Sequence, residues 1–337
     1  MSGNPRSIGD FVGARRLCVL TTAAVWLAAC GGSGPAPPGR SSPTPRVLAG
    51  NGTTWQVVIT AEDTPFVTGL ALDGYGHIYL AEYGPARIAD YSLGGTFTRN
   101  WGTHGSAAGL HQYSRTKVTP DGRGNLYVTE ALYNRVEEFS AAGESLAVWG
   151  SQGSDPGQFS NPVGIQIDGL GEVYVADADN SRVQKLSSSG KPIAQWGSDG
   201  TQPGRFHYPF GLALDAKGDV YVSETGKPGD AGNDRVQEFS PTGSLIATWG
   251  AIGRNPGNLV DPTDIAVDSG GDLYVVDSGN NRIQEFSPAG QYLAQWAGPS
   301  TPAFDEHTGM AMDGKGNLYV SVQNLILRTC VVKGGCR

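Results

Sequence analysis

Six tyrosines in this chain each stand six residues after an acid that opens a tight turn: Asp73/Tyr79, Asp121/Tyr127, Asp168/Tyr174, Asp215/Tyr221, Asp268/Tyr274 and Asp313/Tyr319. They step by 48, 47, 47, 53 and 45 residues. Repetition of this kind constrains a fold more than any other signal, because one structural unit recurs and each copy must bury its open face against the next. The long step has a local cause. From Glu224 to Arg235 is eleven positions, whereas the same acid-to-Arg step takes five in repeats one, two, three and five, so the period is about 47 residues with six inserted within 226–233.

In the third repeat, apolar side chains alternate between turn residues and predict strands over 164–168, 173–176, 182–186 and 192–196. Four short strands in about 47 residues have the size of a propeller blade. Six such units fill residues 47–330, so the expected fold is all-β: one six-bladed β-propeller of four-stranded antiparallel blades. The last unit has only three strands before the chain ends, over 309–313, 318–322 and 325–330. Trp55 lies 46 residues before Trp101, in register with the blade-ending Trp149, Trp196, Trp249 and Trp296. A segment near 52–58 is therefore expected to close blade six and remove the open sheet edges.

The units share further residues: Tyr221-Val-Ser-Glu224 with Arg235-Val-Gln-Glu-Phe239, and Tyr274-Val-Val-Asp277 with Arg282-Ile-Gln-Glu-Phe286, each followed by Trp. This pattern resembles the NHL repeat over more than four-fifths of the chain. The first repeat is looser, and the sixth has Val322 and Leu327 where the others have the acid and the Arg. The resemblance implies a six-bladed propeller. One enzyme that uses this repeat is the peptidyl-hydroxyglycine amidating lyase, which holds zinc with histidines at the start of first strands. The matching positions here are Thr68, Thr116, Val163, Phe210, Thr263 and Thr308. None is His, so zinc chemistry, which needs several neutral imidazoles and an open coordination position, is not expected.

Arg15 and Arg16 precede an apolar run over 17–29, too short to span a bilayer and placed like the core of a secretory signal. The run ends Leu27-Ala28-Ala29-Cys30-Gly31, which resembles the lipobox of bacterial lipoproteins. That resemblance implies cleavage before Cys30 and lipid attachment to it. The expected organisation is a signal peptide over 1–29, a disordered Pro/Gly/Ser tether over 30–46 and the propeller over 47–337. At about 3 Å per residue such a tether reaches roughly 50 Å, so the expected location is extracytoplasmic, anchored to a bacterial membrane. Cys330 and Cys336 are the only cysteines after Cys30 and are expected to pair in an oxidising envelope. Loss of residues 1–29, with three Arg and one Asp, takes the net charge from −8 to −10. An acidic exported chain lacks the Lys/Arg surface that phosphate backbones need, so nucleic acid is not an expected partner.

If first strands run from a top face to a bottom face, the tight Asp-Gly turns lie at the bottom. The long loops 150–162, 197–209 and 250–262 then lie at the top with the insertion, and binding is expected there. The acid–Arg pairs Glu82/Arg87, Glu130/Arg135, Asp177/Arg182, Glu224/Arg235 and Asp277/Arg282 recur, as do the tryptophans. Recurrence reads as turn-tying and blade packing rather than ligand binding. Departures from the repeat are more informative. Four residues before each turn acid stand Gly69, Lys117, Gly164, Gly211, Asp264 and Gly309. Blades two and five are opposite in a ring of six, so Lys117 and Asp264 are expected to face each other across the channel mouth.

With Thr116, Phe210, Thr263 and His207, these two residues form the candidate ligand site. His77 falls in a bottom turn, and His104, His111, His207 and His307 fall in top loops at differing offsets, so no metal site is expected. The Asp-Gly turns are hairpin chemistry rather than calcium loops. Asp177, Asp179 and Asn180, and Asp230 with Asp234, are somewhat better calcium candidates than these turns. No nucleophile elbow, His-Glu-x-x-His or phosphate loop is present. The expected function is binding of a protein or small ligand without a cofactor; the alternative is a channel-mouth lyase or lactonase.

Overall fold

The computed structural model describes residues 46–104, 110–111, 116–226 and 232–331. The expected signal peptide, Cys30, nearly all of the tether, Asp230 and Cys336 lie outside the described residues. Blade one comprises Val67–Leu72, His77–Glu82, Arg87–Ser92 and Phe97–Trp101, and blade two Val118–Pro120, Leu126–Glu130, Arg135–Phe139 and Ser145–Trp149. Blade three is Pro162–Ile167, Val173–Asp177, Arg182–Leu186 and Pro192–Trp196; blade four is Pro209–Leu214, Val220–Glu224, Arg235–Phe239 and Leu245–Trp249. Blade five is Pro262–Val267, Leu273–Asp277, Arg282–Phe286 and Tyr292–Ala297. Each of these five sheets has its strands in chain order from the inside outward. Helix among the described residues is confined to three 3-10 turns between second and third strands: Ala131–Tyr133, Ala178–Asn180 and Ser278–Asn280.

Blade six joins Met310–Met312, Asn317–Val322 and Leu325–Cys330 to the N-terminal strand Thr54–Thr60, paired Gln56↔Arg328 and Thr60↔Leu325. The closing strand starts and ends two residues later than the expected 52–58. Outside it, Arg46–Ala49, the first of the described residues, adds a fifth strand through Leu48↔Trp55. Cys330 is disulfide-bonded.

The turn acids explain the regularity of the bottom face. Asp168 Oδ1 accepts the N–H groups of Leu170 and Glu172, both at 2.9 Å, and the same two bonds recur at the other five turns. Two orphan backbone donors are thereby satisfied, the role for which Asp suits a turn. The tryptophans fill the gaps between blades. Those of blades one to five pack on the tyrosine of their own blade, as Tyr127–Trp149 at 5.6 Å and Tyr221–Trp249 at 5.5 Å between ring centroids, while Trp55 meets Phe304. Trp101, Trp149, Trp196 and Trp249 also cover the next blade's outer turn, so closely that a Cβ on Gly190 would come within 2.3 Å of Trp149. Between blades three and four the core is Tyr174, Val183, Trp196, Phe206, Val220 and Phe239; full burial of a large apolar side chain of this kind stabilises by about 1.5–3 kcal/mol.

Candidate functional site

The glycines at the top of the innermost strands stand where neighbouring blades come close. A Cβ on Gly69 would lie 2.6 Å from Thr116 O, on Gly164 2.4 Å from Phe210 O, and on Gly211 2.8 Å from Thr263 O. Only glycine fits such an approach without displacement. In blades two, four and six a hydroxyl on the second strand adds a bond to the inner strand: Thr129 Oγ1 accepts from Lys117 N, Ser223 Oγ from Gly211 N and Ser321 Oγ from Gly309 N. Thr129 and Ser223 pass a bond on to the next blade, to Val163 O at 2.7 Å and Thr263 O at 3.3 Å.

At the two positions that break this glycine series the structure joins opposite sides of the ring. Lys117 Nζ lies 3.0 Å from Asp264 Oδ2, with the side chains 9% and 12% exposed. Asp264 Oδ2 also accepts Met310 N at 2.9 Å, and Oδ1 accepts Ile265 N at 3.1 Å. The Lys117 ammonium is 6.0 Å from the centroid of the Phe210 ring. Thr116, Phe210 and Thr263 are buried around the pair. His207 is set apart from it: Nδ1 lies 3.3 Å from Asp199 Oδ1, and its backbone N–H donates to Glu224 Oε2. The candidate residues thus form a closed, charge-paired plug at the top of the channel, with His207 engaged by its own loop.

Among the histidines whose side chains are described, His77, His207 and His307 belong to separate turns and loops, while the backbones of His104 and His111 pair in parallel register. His77 Nδ1 bonds Asp90 at 2.8 Å in the bottom half of blade one, and His307 packs against the Phe66 ring. Among the described residues no three His, Cys, Asp or Glu side chains are placed to hold a metal ion. The calcium candidate Asp177 is occupied by Ser160 N, Asn180 Nδ2, Arg182 Nε and Gln184 Nε2.

That cluster recurs and accounts for the acid–Arg pairs. Arg182 Nε bonds Asp177 at 2.8 Å while its Nη atoms donate to Ser154, Asp155 and Gln158 carbonyls. Arg235 bonds Glu224 and the carbonyls of Thr201, Gln202 and Arg205; Arg282 bonds Asp277 and the carbonyls of Asn255 and Asn258. Arg87 with Glu82 and Arg135 with Glu130 keep the ion pair. Burial pushes the Asp177 and Asp277 carboxyls up, against the bonds from backbone and Arg that favour the charge. The top loops, read from the sequence as irregular, are therefore ordered alike. Each carries a parallel bridge, Gln152↔Phe159, Asp199↔Phe206 or Ile252↔Leu259. The sequence signal that marks them is the Gln two residues after the Arg: Gln184, Gln237 and Gln284 accept the N–H of Gly157, Gly204 and Gly257.

The NHL repeat family model matches residues 159–186 and 259–286, which run from the end of a top loop through the third strand of blades three and five. The chain carries NHL repeats. Solved structures similar to this NHL propeller include a streptogramin B lyase, with a TM-score of 0.58 and 15% identity over 81% of this chain and 96% of that one. A gluconolactonase from Xanthomonas campestris gives 0.60 and 15% over 89% and 98%. A chain of a nidogen/laminin complex gives 0.56 and 17% over 79% and 96%. Identities this low show a shared fold alone. No curated protein matches the NHL propeller in sequence.

Proposed function

We propose that this NHL propeller is an extracytoplasmic, lipid-anchored binding protein that holds a protein or small ligand on its top face, over the mouth closed by Lys117 and Asp264. The observation that carries the reading is the plug itself. The lysine and carboxylate at the mouth are paired to each other and walled in by Thr116, Phe210 and Thr263, so neither is a free base or nucleophile. Above them, loops braced by Arg182, Arg235 and Arg282 present an ordered surface, with His207 on one of these loops. A rigid platform favours recognition, because little conformational entropy is lost when a ligand docks on it.

A second reading, a channel-mouth enzyme of the lyase or lactonase type, is favoured by the names of two similar structures, the streptogramin B lyase and the gluconolactonase. Native mass spectrometry of the protein extracted from envelope membranes separates the two, alongside metal analysis and assay with δ-gluconolactone. The binding reading expects a retained partner or ligand, with no turnover above the buffer rate. Stoichiometric zinc or calcium that survives dialysis, together with lactone hydrolysis, would overturn it.

A further inference from the structure

At the bottom face, where blades six, one and two adjoin, lies a cavity of about 710 Å3. Its apolar lining is Leu72, Pro120 and Met312, the last residues of three innermost strands, with Leu93 beside them. Tyr75, 76% exposed, crosses from the turn of blade one to donate its hydroxyl to Gly122 O in the turn of blade two, at 3.1 Å. This places an aromatic wall over an apolar floor. The volume is that of a small-molecule site.

We propose that this cavity binds a small organic anion with an apolar body. The two acids that line it are spent on their own turns. Asp73 accepts from Tyr75 N, His77 N and Tyr79 Oη; Asp313 accepts from Lys315 N, Asn317 N and Asn317 Nδ2. The exposed Lys315 ammonium, on the cavity rim, makes no ion pair among the described residues. Arg123 occupies the same turn position in blade two as Lys315 in blade six.

The fifth residue of each turn then divides the bottom face in two. It is Asn317, His77 and Asn125 in blades six, one and two, but Glu172, Asp219 and Asp272 in blades three, four and five. Burial, then the nearby turn acid, pushes up the Asp219 carboxyl beside Asp215 and the Asp272 carboxyl beside Asp268, as a crowded negative half should. The turns of blades three to five carry six acids against Lys217, whereas those of blades six, one and two carry three acids against Arg123 and Lys315. An anion is therefore met by Lys315 at the cavity, while its apolar part covers Leu72, Pro120 and Met312. The site lies at the opposite end of the channel from Lys117 and Asp264 and is independent of the binding proposed for that face.

Titration of the full chain with 8-anilinonaphthalene-1-sulfonate, with benzoate as competitor, tests it. The expected result is one saturable, benzoate-displaced site, weakened about tenfold in Lys315→Glu through loss of a charge-assisted contact. Lys217→Glu, at the same turn position in blade four, is expected to bind as the parent does. Absence of saturable binding, equal affinity in the parent and Lys315→Glu, or equal loss in Lys217→Glu would overturn the proposal. Should Lys315→Glu not fold, Lys315→Met serves with the same readout.

Discussion

Just before the Arg of each third strand in blades one to five, one residue adopts a left-handed backbone: Ala86, Asn134, Ser181, Asp234 and Asn281, with φ between 40° and 53°. Asn is well suited to this position because its amide can both accept and donate. Asn281 Oδ1 accepts Phe304 N while Nδ2 donates to Pro299 O. Asp234 has no such donor when ionised, and its Oδ1 is buried without a partner. Burial first, and then the neighbouring Asp261, push this carboxyl up to about 6, with Asp277 and Glu224 adding to the effect. The folded state therefore holds the proton to higher pH than the unfolded chain, and stability falls as pH rises from about 4 to about 6. Asp234→Asn is expected to stabilise by about 1 kcal/mol above pH 6 by replacing an unsatisfied acceptor, with little gain at pH 4. Thermal melts at both pH values check this; a loss of stability at pH 8 would contradict it.

The Arg that follows acts at the scale of a loop. Arg282 spans Asp277 on its own sheet and the carbonyls of Asn255 and Asn258 in the loop entering blade five. A lysine cannot reproduce that planar fork. Arg282→Lys is expected to cost about 2 kcal/mol and to raise hydrogen exchange in residues 250–262 while the strands of blade five stay protected. Unchanged exchange in the loop would show that the brace is dispensable. Gly190→Ala, with its Cβ driven into Trp149, is expected to cost about 1–3 kcal/mol in chemical unfolding, and a neutral result would contradict the packing account.

The strands were legible because a two-residue period and a 47-residue repeat leave little freedom, and the Trp55 register disclosed the closing strand. The order of the top loops was not, since it rests on side chains bonding to carbonyls, which sequence does not display. Arg46–Ala49 was hidden by the Pro-rich composition upstream of it. The bottom cavity depends on which turns become neighbours when the ring closes, and only the unlike residues at positions 75, 77 and 315 hinted at it.

At the scale of the molecule, the ring is closed by its N-terminal strand and bridged across its channel by two residues 147 positions apart. Replacing Cys30 with Ser is expected to move the protein from membrane to soluble fractions, and retention on the membrane would contradict lipid anchoring. The bridge fixes blade two against blade five, and its worth depends on both partners being present. Removing either alone leaves a buried charge without its counterion, at a cost of about 3–5 kcal/mol. A double-mutant cycle of Lys117→Met and Asp264→Asn, read by urea unfolding, is the most direct test. The Asn retains an acceptor for Met310 N, so the cycle isolates the ion pair. The account predicts that the double variant is more stable than the sum of the single losses by about 2 kcal/mol. Losses that add to within about 0.5 kcal/mol would show that Lys117 and Asp264 do not bridge the channel.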